Sequence, residues 1–274
     1  MSPLRFRPGS TAGAILRAWR TARKVSQLEL ALRAGLSARH LSFIETGRAH
    51  ASRRALLMLA EALDLPLRER NRLLEAAGYA KAFGETPLGA TEMSHVREVL
   101  RFILDRHEPY GSVVVDRYWN VQMANRPAER SLRAFTDPEL WRQPSPNLLR
   151  LVFHPLGMRR YIVNWNEVSG VLLFRARREL AGPGNDEQGT ELLSELYGYV
   201  DSLELEEDLP ASSQAAHLVL PMHIRRDGVD IRTFSTIMTL GTPQDVTLQE
   251  LRVETFFPAD ETSASILKEL AASS

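Results

Sequence analysis

Residues 26–48 read SQLELALRAGLSARHLSFIETGR, from Ser26 to Arg48. Two short helical periodicities flank a break. Ser26-Gln27-Leu28-Glu29 has the form of a capping box, with Ser as the N-cap and Glu three positions on. Ala34-Gly35-Leu36-Ser37 then interrupts the period, with Gly35 as the natural left-handed residue and Ser37 as the next N-cap. Leu41 and Ile44 carry a second helix that stops at Gly47. Upstream, Ile15, Leu16 and Trp19 fall at helical spacing. Downstream, Ser52 caps a helix bearing Leu56, Leu59, Ala60 and Leu63, and Pro66 prevents its continuation. A last short helix over about 68–77 ends at Gly78. Five helices without a strand pattern predict a compact all-α domain over residues 1–80.

Residues 27–46 meet the geometric demands of a helix-turn-helix. A small residue is needed where the second helix crosses the first, and Ala31 is there. Four positions on, the turn needs a residue tolerant of positive φ, and Gly35 supplies it. Leu30, Leu36, Leu41 and Ile44 fill the buried faces. The helix starting near Ser37 should lie in the DNA major groove with its N-terminal residues against base edges. Its outward positions are Ala38, Arg39, His40, Ser42 and Phe43. Arg39 suits guanine O6 and N7, whereas Ala38 and Phe43 offer only apolar contact, for instance with a thymine methyl. Gln27 at a helix N-terminus is placed to hold a phosphate, as are Arg48, Arg53 and Arg54. One such module buries only ~600–1,000 Å², so useful affinity calls for a homodimer on a near-palindromic duplex site.

The charge distribution agrees with that division of labour. Over 274 residues the 34 basic and 34 acidic groups cancel. Residues 1–80 nevertheless carry 14 Lys+Arg against 6 Asp+Glu, a net of +8, leaving 20 against 28, a net of −8, for the remainder. A basic third on an acidic remainder is expected where one domain meets a polyanion and the other does not. Cysteine is absent, which removes disulfides, thiolate nucleophiles and zinc ribbons. The apolar stretches run to only a handful of residues, such as Val171-Leu172-Leu173-Phe174, and the N-terminus lacks an apolar h-region, so the reading is a cytoplasmic protein with no membrane partner.

The stretch Ala80–Ala90 is small, Gly- and Pro-bearing and aperiodic, and the expected linker covers 81–92. A second domain then spans 93–274. Val96, Val99, Leu100, Ile103 and Leu104 stripe a helix; residues 112–124 read as two strands joined at Asp116-Arg117, with Trp119, Val121 and Met123 sharing a face. Helical segments are expected near 127–134, 147–153, 165–180 and 190–204. Three strand-like runs follow, through Leu218–Ile224, through Phe234, Met238 and Leu240, and through Leu251, Val253 and Phe257, before a short helix from about 260. The order is α+β, with five strands able to form one antiparallel sheet.

The first domain resembles the phage-repressor-like helix-turn-helix class, the XRE family, most clearly in Ser37-x3-Leu41-Ser42-x-Ile44-Glu45-x-Gly47. The resemblance implies a five-helix lambda-repressor-like fold and a buried ion pair between Arg20 and Glu45. The remainder resembles the C-terminal domain of MmyB-like transcriptional regulators. His107–Asn125, Asn147–Trp165 and Asp245–Asp260 carry this likeness, and it is loose between about 181 and 216. Many relatives have Arg-Pro where this chain has His50-Ala51, and Phe43 departs from the polar residue often found there.

This second resemblance implies a PAS-like fold with a cavity that a long-chain fatty acid or similar apolar molecule occupies, and no cofactor. Candidate wall residues are Trp119, Val121, Met123, Leu151, Phe153, Trp165, Phe234 and Met238; candidate carboxylate anchors are Arg150, His154, Arg159 and Arg160. Ordinary core packing is the alternative for each apolar residue. His154 before Pro155 also suits a helix cap, and Asn125 a turn.

Catalytic motifs are missing. No G-x-S-x-G, G-x-x-x-x-G-K or H-E-x-x-H occurs, and Gly182-Pro183-Gly184-Asn185 lacks the third glycine of a dinucleotide loop. His217 and His223 are about 20 Å apart along a strand, too far to share a metal. The reading is therefore a one-component regulator, not an enzyme, that senses a small apolar ligand and alters dimer geometry. The alternative is a second domain serving as a ligand-free dimerisation or protein-interaction platform. An enzyme with a DNA-binding appendage is the weaker third case.

Overall fold

The computed structural model describes residues 11–141, 145–180, 187–200 and 220–272. The acidic run Glu204–Asp208, His217 and Gly182–Asn185 lie outside the described residues. The chain divides into two compact units. The first runs to Thr86 and also takes in Thr242–Gln249; the second holds Pro87–Leu180, Gln188–Gly241 and Glu250–Ser274 as far as these are described.

The first unit has five helices, α1 (Ala12–Ala22), α2 (Gln27–Arg33), α3 (Ala38–Glu45), α4 (Arg53–Ala62) and α5 (Leu67–Ala76). Thr11, Ser26, Ser37 and Ser52 each accept an orphan N-terminal amide, at 3.3, 3.1, 3.1 and 3.2 Å. The capping box at Ser26 is half made, because the Glu29 carboxylate pairs with Arg33 one turn on. Gly35 adopts φ +64° in the α2–α3 turn, where a side chain would strain the backbone. Gly13 serves α1 differently: a Cβ there would lie 2.2 Å from the Ile44 carbonyl oxygen, so α1 and the end of α3 meet backbone to backbone. Leu16, Leu30, Leu41, Leu56, Leu59, Leu73 and Leu74 form a fully buried core.

The expected linker 81–92 is tied down at its start. Asn71 on α5 accepts the Ala82 and Phe83 amides through its Oδ1 and donates to the Phe83 carbonyl at 2.8 Å. Residues that the sequence reading assigned to the second domain belong here as well. Asp245 accepts from the Thr86 amide and hydroxyl at 3.1 and 2.9 Å. Gln249 accepts the Leu67 amide at 2.7 Å, capping α5 where Pro66 has no side-chain acceptor to offer.

The second unit is α+β. It begins with α6 (Ser94–Arg106), β1 (Ser112–Val115) and β2 (Val121–Ala124), followed by α7 (Arg126–Ala134), α8 (Leu148–Phe153), α9 (Trp165–Leu180) and α10 (Glu187–Gly198). Then come β3 (Leu220–Arg226), β4 (Val229–Thr239), β5 (Arg252–Pro258) and α12 (Glu261–Ala272); the short α11 (Val246–Glu250), between β4 and β5 in the chain, belongs to the first unit as far as Gln249. The five strands form one antiparallel sheet in the order β2-β1-β5-β4-β3, which puts β5 at its centre. Asn125 does more than turn the chain: it caps α7 and binds the Ser112 amide, and its side-chain nitrogen reaches the Leu104 and Tyr110 carbonyls.

Directly paired residues share a face, so the register assigns the two sides of the sheet. Met222, Thr233, Ser235, Glu254, Phe256 and Val113 lie on one side; Phe234, Phe257, Met238, Val253 and Val114 lie on the other. A register shift at Val114/Val115 breaks the expected alternation in β2. Val121 pairs with Val115 and Met123 with Val114, so the two do not share a face. Trp119 precedes β2 altogether, in a turn with φ +65° closed by Asp116, which accepts the Tyr118 and Asn120 amides.

Candidate nucleic-acid interface and ligand cavity

The helix-turn-helix is held by one buried polar centre. Arg20 forks onto Glu45, its Nε donating to Oε1 at 2.7 Å and its outer nitrogen to Oε2 at 2.9 Å, while a third bond reaches the Val25 carbonyl at 3.0 Å. The Glu45 side chain is inaccessible, and its hydrogen bonds hold the Arg20 guanidinium more firmly protonated than usual. Gln27 donates to the same carboxylate at 2.8 Å. Its amide is thus engaged inside the protein and not extended for a phosphate, although it still stands at the first turn of α2.

The outer surface of α3 is prepared for contact. Ser37 spends its hydroxyl on the His40 amide, fixing where the helix starts. Arg39 is exposed and its guanidinium lies over the Phe43 ring, 5.4 Å from the centroid. Ala38, His40, Ser42 and Phe43 are half-buried. Arg48, Arg53 and Arg54 are exposed, and none has an ion-pair partner among the described residues. Tyr79 donates to the Ala51 carbonyl at 3.1 Å and packs edge-on against His50, which steadies the loop that carries Arg48 toward α4.

In the second unit an apolar cavity of about 80 Å³ lies between the helices and the first of the two sheet faces. Leu132 of α7, Leu149 and Val152 of α8, Leu172 of α9 and Met222 of β3 wall it, with Trp119 alongside. Its polar lining comes from the sheet, chiefly Thr233, Ser235 and Glu254. Glu254 is 3% exposed, and burial pushes its carboxyl above the ordinary carboxylate range; Arg175, 3.8 Å away, and Ser235 oppose that shift without reversing it.

Of the expected ligand residues, Trp119 lines this cavity. Val121 packs on the same core without lining it, and Phe153 is fully buried with its ring against Trp165, 5.2 Å between centroids. Met123, Phe234 and Met238 face away from the cavity, with Phe234 stacked on Phe257. The expected anchors gather elsewhere. Arg150, Leu151 and His154 line a second, more polar hollow with Glu195 and Tyr199.

There Arg150 grips both Glu195 oxygens, at 2.8 to 3.0 Å, and Tyr199 donates to Glu195 at 3.1 Å. Burial raises the Glu195 carboxyl, but Arg150 outweighs it and holds the group below its usual range. His154 takes the Leu156 amide on Nδ1, Arg159 reaches the Tyr199 carbonyl and Arg160 the Leu156 carbonyl. These side chains close on the protein itself.

Ser235, Glu254 and Arg175 escaped the sequence reading. Arg252, Glu254 and Phe256 alternate with Val253 and Phe257, and the charged positions mimic a solvent face. Only the central place of β5, covered on both sides, makes Glu254 a cavity residue.

A helix-turn-helix with uncommitted arginines around α3, in a chain whose other unit holds an apolar hollow, is the architecture of a DNA-binding transcription regulator. Sequence comparison agrees: residues 16–70 match the helix-turn-helix family, and residues 96–270 match the MmyB-like transcription regulator ligand binding domain. The second match spans more than half of the chain, and the protein belongs to that family. No curated protein matches it. The restriction-modification controller protein C.AhdI from Aeromonas hydrophila is similar over 22% of this chain and 89% of its own, with 39% identity and a TM-score of 0.21. An RNA-binding light-oxygen-voltage receptor is 12% identical over 95% of this chain and 60% of its own, with a TM-score of 0.27. At such scores neither superposition bears on function. Among the described residues no helix is long and apolar enough to cross a membrane.

Proposed function

We propose that the protein is a one-component regulator that binds duplex DNA as a homodimer through α3 and senses a small apolar molecule in the cavity beneath the sheet. The observation that carries the DNA half is the set of exposed arginines, Arg39, Arg48, Arg53 and Arg54, left without ion-pair partners around one capped helix. Arg39 reads a base edge, with Phe43 beneath it as a platform, while Arg48, Arg53 and Arg54 meet phosphates. Two copies on a near-palindrome, with half-sites about one helical turn apart, supply the area that one module lacks.

The cavity supports the sensor half, since an apolar hollow gains about 0.8 kcal/mol per buried methylene of its occupant. At about 80 Å³ it suits a small molecule; the long-chain fatty acid that the family resemblance implies requires the helices to part. A ligand changes DNA affinity only if it binds the two dimer geometries unequally. The test is selection of duplexes from a random pool by the full-length protein, followed by titration of the selected site with and without C6 and longer lipids. Sequence-selective binding that shifts with a lipid supports the proposal. Absence of selective DNA binding refutes the first half, and equal affinity throughout refutes the second.

A further inference from the structure

The helix α6 (Ser94–Arg106) is apolar on two sides. Leu100 and Leu104 turn inward and are fully buried where α6 packs on β1, and the Asn125 side chain fastens the helix end by donating to the Leu104 carbonyl at 3.1 Å. His107 and Tyr110, which follow the helix, meet the Phe257 ring at 6.0 and 6.5 Å between centroids, so α6 ends against the sheet face that turns away from the cavity. Its other side carries His95, Val99, Phe102 and Arg106, whose spacing of four, three and four residues lines one helix face. Among the described residues Phe102 is left 60% exposed and Val99 40%, with Val96 and Ile103 half-buried beside them. Single exposed apolar residues are ordinary, but a second apolar stripe on a helix whose first is already buried marks a surface for another helix to cover.

The charges along the stripe select the partner. Toward the N-terminal end stand His95 and Glu98, 3.7 Å apart. At the C-terminal end stand Asp105 and Arg106, and the Arg106 guanidinium lies over the Phe102 ring, 4.9 Å from its centroid. Such a stripe complements itself in one orientation. Two copies laid antiparallel across a two-fold axis set Val99 of each against Phe102 of the other, a small side chain against a large one, and bring Arg106 toward Glu98 and Asp105 toward His95. Laid parallel, Phe102 meets Phe102 and Arg106 meets Arg106.

Resting on the homodimer of the proposed function, we propose that the outer side of α6 is the seam of that dimer, paired antiparallel with α6 of a second copy. The helix has 13 residues and is about 20 Å long at 1.5 Å per residue, so the seam belongs to the small, transient class of interface and the dimer dissociates on dilution. The sheet is the single layer between the seam and the ligand cavity, which lie against its opposite faces.

Sedimentation velocity of the full-length protein without DNA, over about a hundredfold range of concentration, tests this. The parent should pass from dimer to monomer on dilution. Phe102→Glu alters a side chain that the fold leaves exposed, so it should keep the parent's circular dichroism and raise the dimer dissociation constant about tenfold or more. Glu98→Arg should weaken the dimer several-fold by setting two cations together, and adding Arg106→Glu should restore it, a rescue that a parallel seam cannot give. A parent dimer that Phe102→Glu leaves intact overturns the seam and keeps the homodimer. Weakening by Glu98→Arg without rescue overturns the antiparallel pairing. A parent that stays monomeric throughout overturns the homodimer and the seam together, and the stripe then belongs to a different protein.

Discussion

Gly13→Ala is the sharpest perturbation of the DNA-reading unit. The added methyl would fall 2.2 Å from the Ile44 carbonyl oxygen and 3.1 Å from the Cα and carbonyl carbon of Glu45. Real Cβ contacts stay beyond about 3.0 Å, and every atom met is backbone, so no rotamer change relieves the clash. α1 and the end of α3 must part by about 0.8 Å, which also stretches the 2.7 and 2.9 Å bonds from Arg20 to Glu45. Overpacking of this kind costs ~1–3 kcal/mol, and the better helix propensity of alanine returns at most ~1 kcal/mol. The expected net loss is about 2 kcal/mol, together with weaker binding to all duplexes alike, because α3 is displaced as a whole. The control is Gly35→Ala, which strains a +64° φ but meets nothing closer than the Met58 methyl at 3.8 Å. It should lower stability by ~1–2 kcal/mol and leave α3 in place. Native-state hydrogen exchange of the α2 and α4 core amides measures the stability of this unit separately from the other. If Gly13→Ala stays within about 0.5 kcal/mol of the parent and binds DNA unchanged, the close approach of α1 to α3 does not position the reader.

Arg20→Met should strand the inaccessible Glu45 carboxylate and cost ~3–5 kcal/mol in the same exchange experiment, with Arg20→Lys recovering part of it because lysine cannot fork. Arg39→Ala should relax preference at one base position by ~1–3 kcal/mol, and Phe43→Ala should do so less, as the guanidinium loses only its platform; competition among single-position site variants checks both. Each of Arg48→Ala, Arg53→Ala and Arg54→Ala should weaken all sites similarly and flatten the log–log salt dependence by about 0.9. Glu254 sits above its ordinary value of 4.5, so the folded state binds the extra proton and stability falls as pH rises from that value through the raised one. Glu254→Gln removes this dependence; denaturation of the second unit over a pH series should find the parent losing ground to the variant as pH rises, and a constant gap would count against the buried carboxyl.

Local chemistry made the first unit legible. Ser26, Ser37 and Ser52 cap helices and Gly35 turns because these effects act within four residues of chain. The half-made box at Glu29 failed for a local reason too: Arg33 one turn on offers a charged partner in place of a backbone amide. Gly13 and the capping of α5 by Gln249 were beyond reach, since each depends on a partner more than 30 residues distant. In the second unit the strands were readable from alternation, but not the order that sets β5 between β1 and β4. That order decides which alternating set meets the cavity, and so Phe234 and Met238, the natural wall candidates by size, lie on the other side. The register shift in β2 separated Val121 from Met123 in the same way.

The arginines of the two units differ in what the fold leaves free. Sequence alone treats Arg150 and Arg159 as free anchors and Arg48 and Arg53 as equally free, because a side chain's partner leaves no mark on its own position. The folded chain separates them. In the acidic second unit Arg150 closes on Glu195, Arg175 faces Glu254, Arg225 holds Asp230 and Arg252 holds Glu179. Around α3 the cations stay uncommitted. A cation already paired must break that pair before it can hold an anion, and a partly buried one then strands its carboxylate. The cations around α3 are therefore available to a polyanion, whereas Arg150, Arg175, Arg225 and Arg252 would each have to leave a carboxylate to hold an anionic ligand.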